Sequence, residues 1–121
     1  MCIRDSITTA LHKKDTEAAL TAIKEAAEDQ VDMKLFARLL LERLRTVIIL
    51  RYRPDQATEL LTPYQEEEQT KLKEFAKDKQ SPINSHLLLR FLTAAGQIGT
   101  TYLPQLPLEL AVVEEAETKT D

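Results

Sequence analysis

Residues 32–53 read DMKLFARLLLERLRTVIILRYR. The large apolar residues Leu35, Phe36, Leu39, Leu40, Leu44, Val47 and Ile48 recur at spacings of three and four, which places them on one broad stripe of an α-helix. Asp32 is suited to the N-cap, because its carboxylate can accept from the unpaired amides of a first turn. Arg51 and Arg53 sit where cations complement the helix dipole. Pro54 ends the helix, since its ring clashes with a preceding turn and drives Arg53 into an extended conformation. Leu41, Ile49 and Leu50 widen the stripe until the late helix is apolar on nearly every side. A helix of that kind needs cover from several neighbours, so it is expected at the centre of a bundle.

The rest of the composition agrees with an all-α fold. The chain has 121 residues, 43% hydrophobic and 30% charged, which suits one globular domain. It contains only two glycines and no tryptophan, too few turn formers for a sandwich or barrel. The net charge of −4 argues against strong nucleic-acid binding by the chain itself. The single cysteine, Cys2, excludes an internal disulfide and fits a reducing compartment. The apolar run Val47–Leu50 is far short of the roughly 20 residues that span a bilayer. No membrane association is expected, and a cytoplasmic location follows.

Outward from the centre, further helices are expected. Residues 1–6, MCIRDS, resemble a translated sequencing-adaptor scar and are set aside as a non-native leader, the other reading being an ordinary frayed terminus. The domain is then taken as residues 7–113. Ile7–His12 reads as the last turns of a helix closed by Lys13 and Lys14. Asp15 caps a helix to about Asp29, with Ala18, Ala19, Ala22, Ile23, Ala26 and Ala27 on one face. The short link Gln30-Val31 predicts that this alanine helix and the central helix pack as an antiparallel hairpin. Asp55 is placed at the cap of a short helix through Leu61.

Tyr64 to about Lys79 is a thinly apolar helix, acidic at Glu66–Glu68 and basic toward its end. The acidic triplet is read as a solvated helix start rather than a site for a metal or basic partner. Asn84 or Ser85 opens a helix carried to about Tyr102 by Leu88, Phe91, Leu92, Ala95 and Ile98. Gly96 and Gly99 lie on it at positions open to close helix approach, the other reading being that they only loosen the helix, at about 1 kcal/mol each relative to alanine. Pro107 sits in the first turn of a last helix through Glu115. Residues 114–121 form a polar tail or the start of a linker. The expected architecture is one bundle of about five helices: an antiparallel hairpin, a long central helix and a short C-terminal helix.

Reactive chemistry is hard to find in this pattern. His12 and His86 are far apart, and no Cys/His/Asp/Glu set has metal-ligand spacing. No glycine-rich loop carries a phosphate-binding lysine, and no serine or cysteine lies in a nucleophile turn. Arg38, Arg43, Arg45, Arg51 and Arg53 are read as solubilising charge rather than a cationic binding patch. No catalytic, cofactor-binding or metal-binding residue is assigned. The apolar residues in excess of a small core are Leu106, Leu110 and Val113, with Tyr102 and Ile98 nearby. Such surplus marks a partner surface.

Two stretches resemble a known family. One is Leu11–Tyr52, with its alanine-rich helix, VDMKLF and LLLERLRTVIILRY; the other is Leu88–Val113, with LPQLPLELAVVE running one residue beyond it. Both are similar to the helical collar domain of the bacterial clamp-loader gamma/tau subunit of DNA polymerase III. Pro54–Ser81 matches only as a variable helical connection. The resemblance implies an assembly domain that joins gamma/tau copies with delta and delta-prime subunits in a five-membered ring and meets DNA only through the assembled complex. It also implies an upstream ATPase module that holds ATP, magnesium and zinc. The phosphate-binding loop, zinc cysteines and arginine finger of that module have no counterpart here, so the chain is expected to be a fragment without cofactors. The alternatives are a free-standing helical binding or regulatory domain, and an enzyme with an unrecognised site.

Overall fold

The computed structural model describes residues 3–118, with side chains from Ser6 onward. Seven α-helices and no strand occur among these residues. They are α1 (Ile3–His12), α2 (Thr16–Glu28), α3 (Met33–Tyr52), α4 (Ala57–Leu61), α5 (Glu66–Lys77), α6 (Ser85–Gln97) and α7 (Leu106–Glu117), with a 3-10 turn at Pro54–Gln56. The count of seven among the described residues exceeds the expected five or so. The backbone of α1 begins at Ile3, inside the segment set aside as a leader; Met1 and Cys2 lie outside the described residues.

The central helix is α3, and its sequence explains its ends. Asp32 accepts from the amides of Lys34 at 2.9 Å and Leu35 at 3.4 Å. Pro54 follows immediately after the C-cap Arg53, whose φ of −132° breaks the helix. Phe36, Leu40, Leu44 and Val47 are fully buried. Each such side chain contributes about 1.5–3 kcal/mol by leaving water. Helices α1, α4, α5 and α6 all pack against α3. This absorbs much of the apolar overflow: Leu50 belongs to the core, and Leu41 and Ile48 pack against it. Leu35, placed on the buried stripe by spacing, instead stays exposed.

The alanine helix packs differently from expectation. Its buried residues Ala19, Ala22, Ile23 and Ala26 serve α1 and α7, and α2 makes its most extensive contact with α1 rather than with α3. Small side chains permit the close approach. The turns that leave α1 and α2 share one design. Asp15 N–H donates to Ala10 and Lys14 N–H to Leu11; Val31 N–H donates to Ala26 and Gln30 N–H to Ala27. This is the paired hydrogen-bond pattern of a Schellman C-cap, with Lys14 (φ 59°) and Gln30 (φ 61°) in the left-handed conformation normally taken by glycine.

Two other expectations change. Helix α6 stops at Gln97 rather than near Tyr102. Ile98 (φ −65°, ψ 128°) and Gly99 (φ 99°) form a type II turn closed by Thr100 N–H on Gln97 O, so Gly99 supplies the positive φ that this turn requires. Gly96 has nothing within 4 Å of a built Cβ and is not a point of helix approach. The buried stripe of α6 is Leu87, Phe91 and Ala94, rotated from the expected one. The run Leu87-Leu88-Leu89 with Leu92 makes the local period ambiguous, and contacts with α3 and α7 decide which leucine goes inward. Asp55 pairs with Arg53 at 3.1 Å instead of capping α4.

Candidate assembly surface

Helices α6 and α7 pack together, and α7 also lies on α2. The ion pair Arg90–Glu115, at 2.6 Å, and a hydrogen bond from Arg90 to Thr118 Oγ1 fasten the end of α7 to α6. Pro107, Leu108, Ala111 and Val112 form the inward face of α7. The stripe expected to face outward therefore does leave the core. Leu110 is 52% exposed, while Leu106 and Val113 are half-buried. Tyr102 is 87% exposed, in the segment between α6 and α7. Ile98 is only 6% exposed and belongs to the core, because the type II turn folds it inward; it is no surface residue.

Sequence spacing missed two members of this surface. Spacing put Leu92 on the core stripe of α6 and did not single out Leu89, yet Leu89 is 61% and Leu92 55% exposed. Leu89 lies one turn before Thr93, and Thr93 and Leu110 line a shallow groove between α6 and α7. Leu89 and Leu92 on α6 and Leu110 on α7 are thus left exposed.

Elsewhere, polar side chains are occupied inside the fold. Arg43 is buried between α3 and α5, donates to Glu68 at 2.6 Å and lies over the Tyr64 ring. Glu68 is thereby drawn out of the acidic triplet that the sequence suggested was solvated. Arg51 donates to the carbonyls of Phe75, Ala76 and Ile83, capping the end of α5 and the connection to α6. Arg38 lies 3.8 Å from Glu42, and Arg53 pairs with Asp55. The arginines of α3 are spread among separate tasks and form no common patch.

One constellation resembles catalytic machinery. His12 Nδ1 is 2.7 Å from Ser81 Oγ, and His12 Nε2 is 3.7 Å from Asp78 Oδ2. Its geometry serves structure instead. Ser81 is buried, so a substrate carbonyl has no approach to its Oγ, which already accepts from the Ile83 amide at 3.2 Å. The 3.7 Å separation from Asp78 is too long for the hydrogen bond that orients a catalytic imidazole. His12 also stacks on Phe75, with ring centroids 4.1 Å apart. Burial holds this imidazole below its ordinary value, opposed by the Asp78 carboxylate and reinforced by Arg51 and Lys13. The cluster latches α1 to the α5–α6 connection. His86 is exposed on the first turn of α6.

Among the described residues, no group of three or more His, Cys, Asp or Glu side chains is placed so that it could hold a metal ion. No helix among the described residues is long and apolar enough to cross a membrane. The geometry is that of a helical domain whose outer apolar surface is its most distinctive feature. The family model for DNA polymerase III subunits gamma and tau domain III matches residues 5–116. The chain belongs to that family, and is thus a clamp-loader domain. Comparison with curated proteins and with solved structures returned no match.

Proposed function

We propose that this domain assembles clamp-loader subunits, joining gamma/tau copies with delta and delta-prime in the manner of a collar. The observation that carries this reading is the exposure of Leu89 and Leu92 on α6 and of Leu110 on α7, with Leu106 and Val113 half-buried beside Leu110 on α7. Burying such side chains against a neighbour supplies about 25 cal/mol per Å² of apolar surface removed from water. The domain itself catalyses nothing in this reading. ATP hydrolysis rests with the module that the family resemblance places upstream, and DNA is met only by the assembled complex in the cytoplasm.

Light scattering on the chain mixed with delta and delta-prime subunits tests the proposal. Masses above those of the separate components, containing this chain, are expected. A chain that stays monomeric in the mixture would favour a free-standing binding domain instead.

A further inference from the structure

A second feature lies where the end of α3, the 3-10 turn and α4 meet the last turns of α5. A groove of about 380 Å³ opens there. Leu50, Pro54, Ala57 and Ala76 give it an apolar lining. Lys73, Lys77 and Lys79 stand on its rim. Lys73 and Lys77 are four residues apart and share one side of α5.

The charges around this groove are unbalanced. The chain has 20 acidic against 16 basic residues. Among the described residues, these three lysines take part in no ion pair or side-chain hydrogen bond. Of the acidic groups nearby, Glu74, next to Lys73, acts on His12, Asp78 lies toward His12 and the Gln80 amide, and Asp55 pairs with Arg53. Arg51 lines the groove with its stem, but its guanidinium is committed to three carbonyls. The result is an apolar floor edged by three lysines, with no carboxylate among the residues that line it.

We propose that this groove docks an acidic peptide segment of a partner protein. One or two apolar side chains of the segment rest on Leu50, Pro54, Ala57 and Ala76, while its carboxylates meet Lys73, Lys77 and Lys79. Charge complementarity selects the occupant and speeds its encounter. A peptide suits the groove better than a single-stranded nucleic acid, because no aromatic ring lines it on which a base would stack. The site is separate from the α6–α7 surface, so its test is independent of subunit assembly.

The test pans a phage-displayed random dodecapeptide library on the folded chain, with counter-selection on a Lys73→Gln/Lys77→Gln/Lys79→Gln variant. Enriched peptides should carry at least two carboxylates beside a leucine, isoleucine or phenylalanine. A synthetic copy of an enriched peptide should bind about tenfold or more weakly to the glutamine variant, in keeping with loss of several charge contacts. The same loss is expected with Ala57→Phe, which fills the floor while leaving the lysines in place. Circular dichroism establishes that both variants keep their helices; the glutamine variant alters only exposed side chains and carries the test even if Ala57→Phe does not fold. The proposal is overturned if no peptide is enriched, if enriched peptides lack carboxylates, or if the glutamine variant binds them equally well. It is also overturned if a 20-nucleotide single strand binds through the same lysines more tightly than any peptide, which would make the groove a nucleic-acid site.

Discussion

At the residue scale, His12 couples stability to pH. Its imidazole is held below the ordinary value of 6.5, chiefly by burial. Between that lowered value and 6.5 the unfolded chain binds more protons than the folded one. Stability therefore rises with pH across the window and is lost as pH falls through it. His12→Phe keeps a ring against Phe75 but removes the titration. Urea unfolding of both proteins at pH 7.5, 6.0 and 5.0 should give a smaller acid-side loss for the variant, and equal losses would contradict the assignment. Gln30 offers a second residue-level check. A non-glycine residue in the left-handed conformation costs about 1 kcal/mol or more; glycine removes that strain, and its freer unfolded chain cancels only part of the gain. Gln30→Gly should raise the unfolding free energy by about 0.5–1 kcal/mol. A loss of stability there would mean that the Gln30 side chain contributes contacts of its own.

At the element scale, the arginine that ends α3 is an organiser of α5. Arg51 reaches three carbonyls from one planar guanidinium, a geometry that lysine cannot reproduce. Arg51→Met should cost about 2–4 kcal/mol in chemical denaturation, because buried carbonyls lose their donors. Arg51→Lys should recover only part of it; full recovery would show that charge alone matters. Helix α7 has two faces with opposite expectations. Leu108 is fully buried, so Leu108→Asp should unfold the domain by placing a carboxylate in the core. Leu110→Asp should change the unfolding midpoint little. If circular dichroism shows Leu110→Asp melting as early as Leu108→Asp, the outward face of α7 is misassigned.

Much of this element structure is legible from residues alone. Asp32, Pro54, Asp15 and Pro107 mark helix ends by mechanisms that act within one turn, and each stands at or next to the helix end it was expected to mark. What escaped detection depends on distant partners. The Schellman turns at Lys14 and Gln30 lack the glycine that would announce them. The leucine cluster of α6 has no unique inward face until α3 and α7 are in place. The distant hydrogen-bond targets of Arg43, Arg51 and His12 lie 24 to 69 residues away in the chain.

At the scale of the whole molecule, a core wrapped around α3 leaves apolar surface on α6 and α7 that the domain does not need for its own folding. The family places the domain within a clamp loader, and the proposed assembly role gives that surface a use. The most direct test puts a photo-reactive benzophenone amino acid at position 92 or 110, with position 24 on the exposed side of α2 as control, and irradiates mixtures with delta and delta-prime subunits. Cross-links from 92 and 110 to a neighbouring subunit or to a second copy, with few or none from 24, are predicted. Cross-links that arise equally from position 24, or none from 92 and 110 in a mixture whose mass shows assembly, would contradict the account.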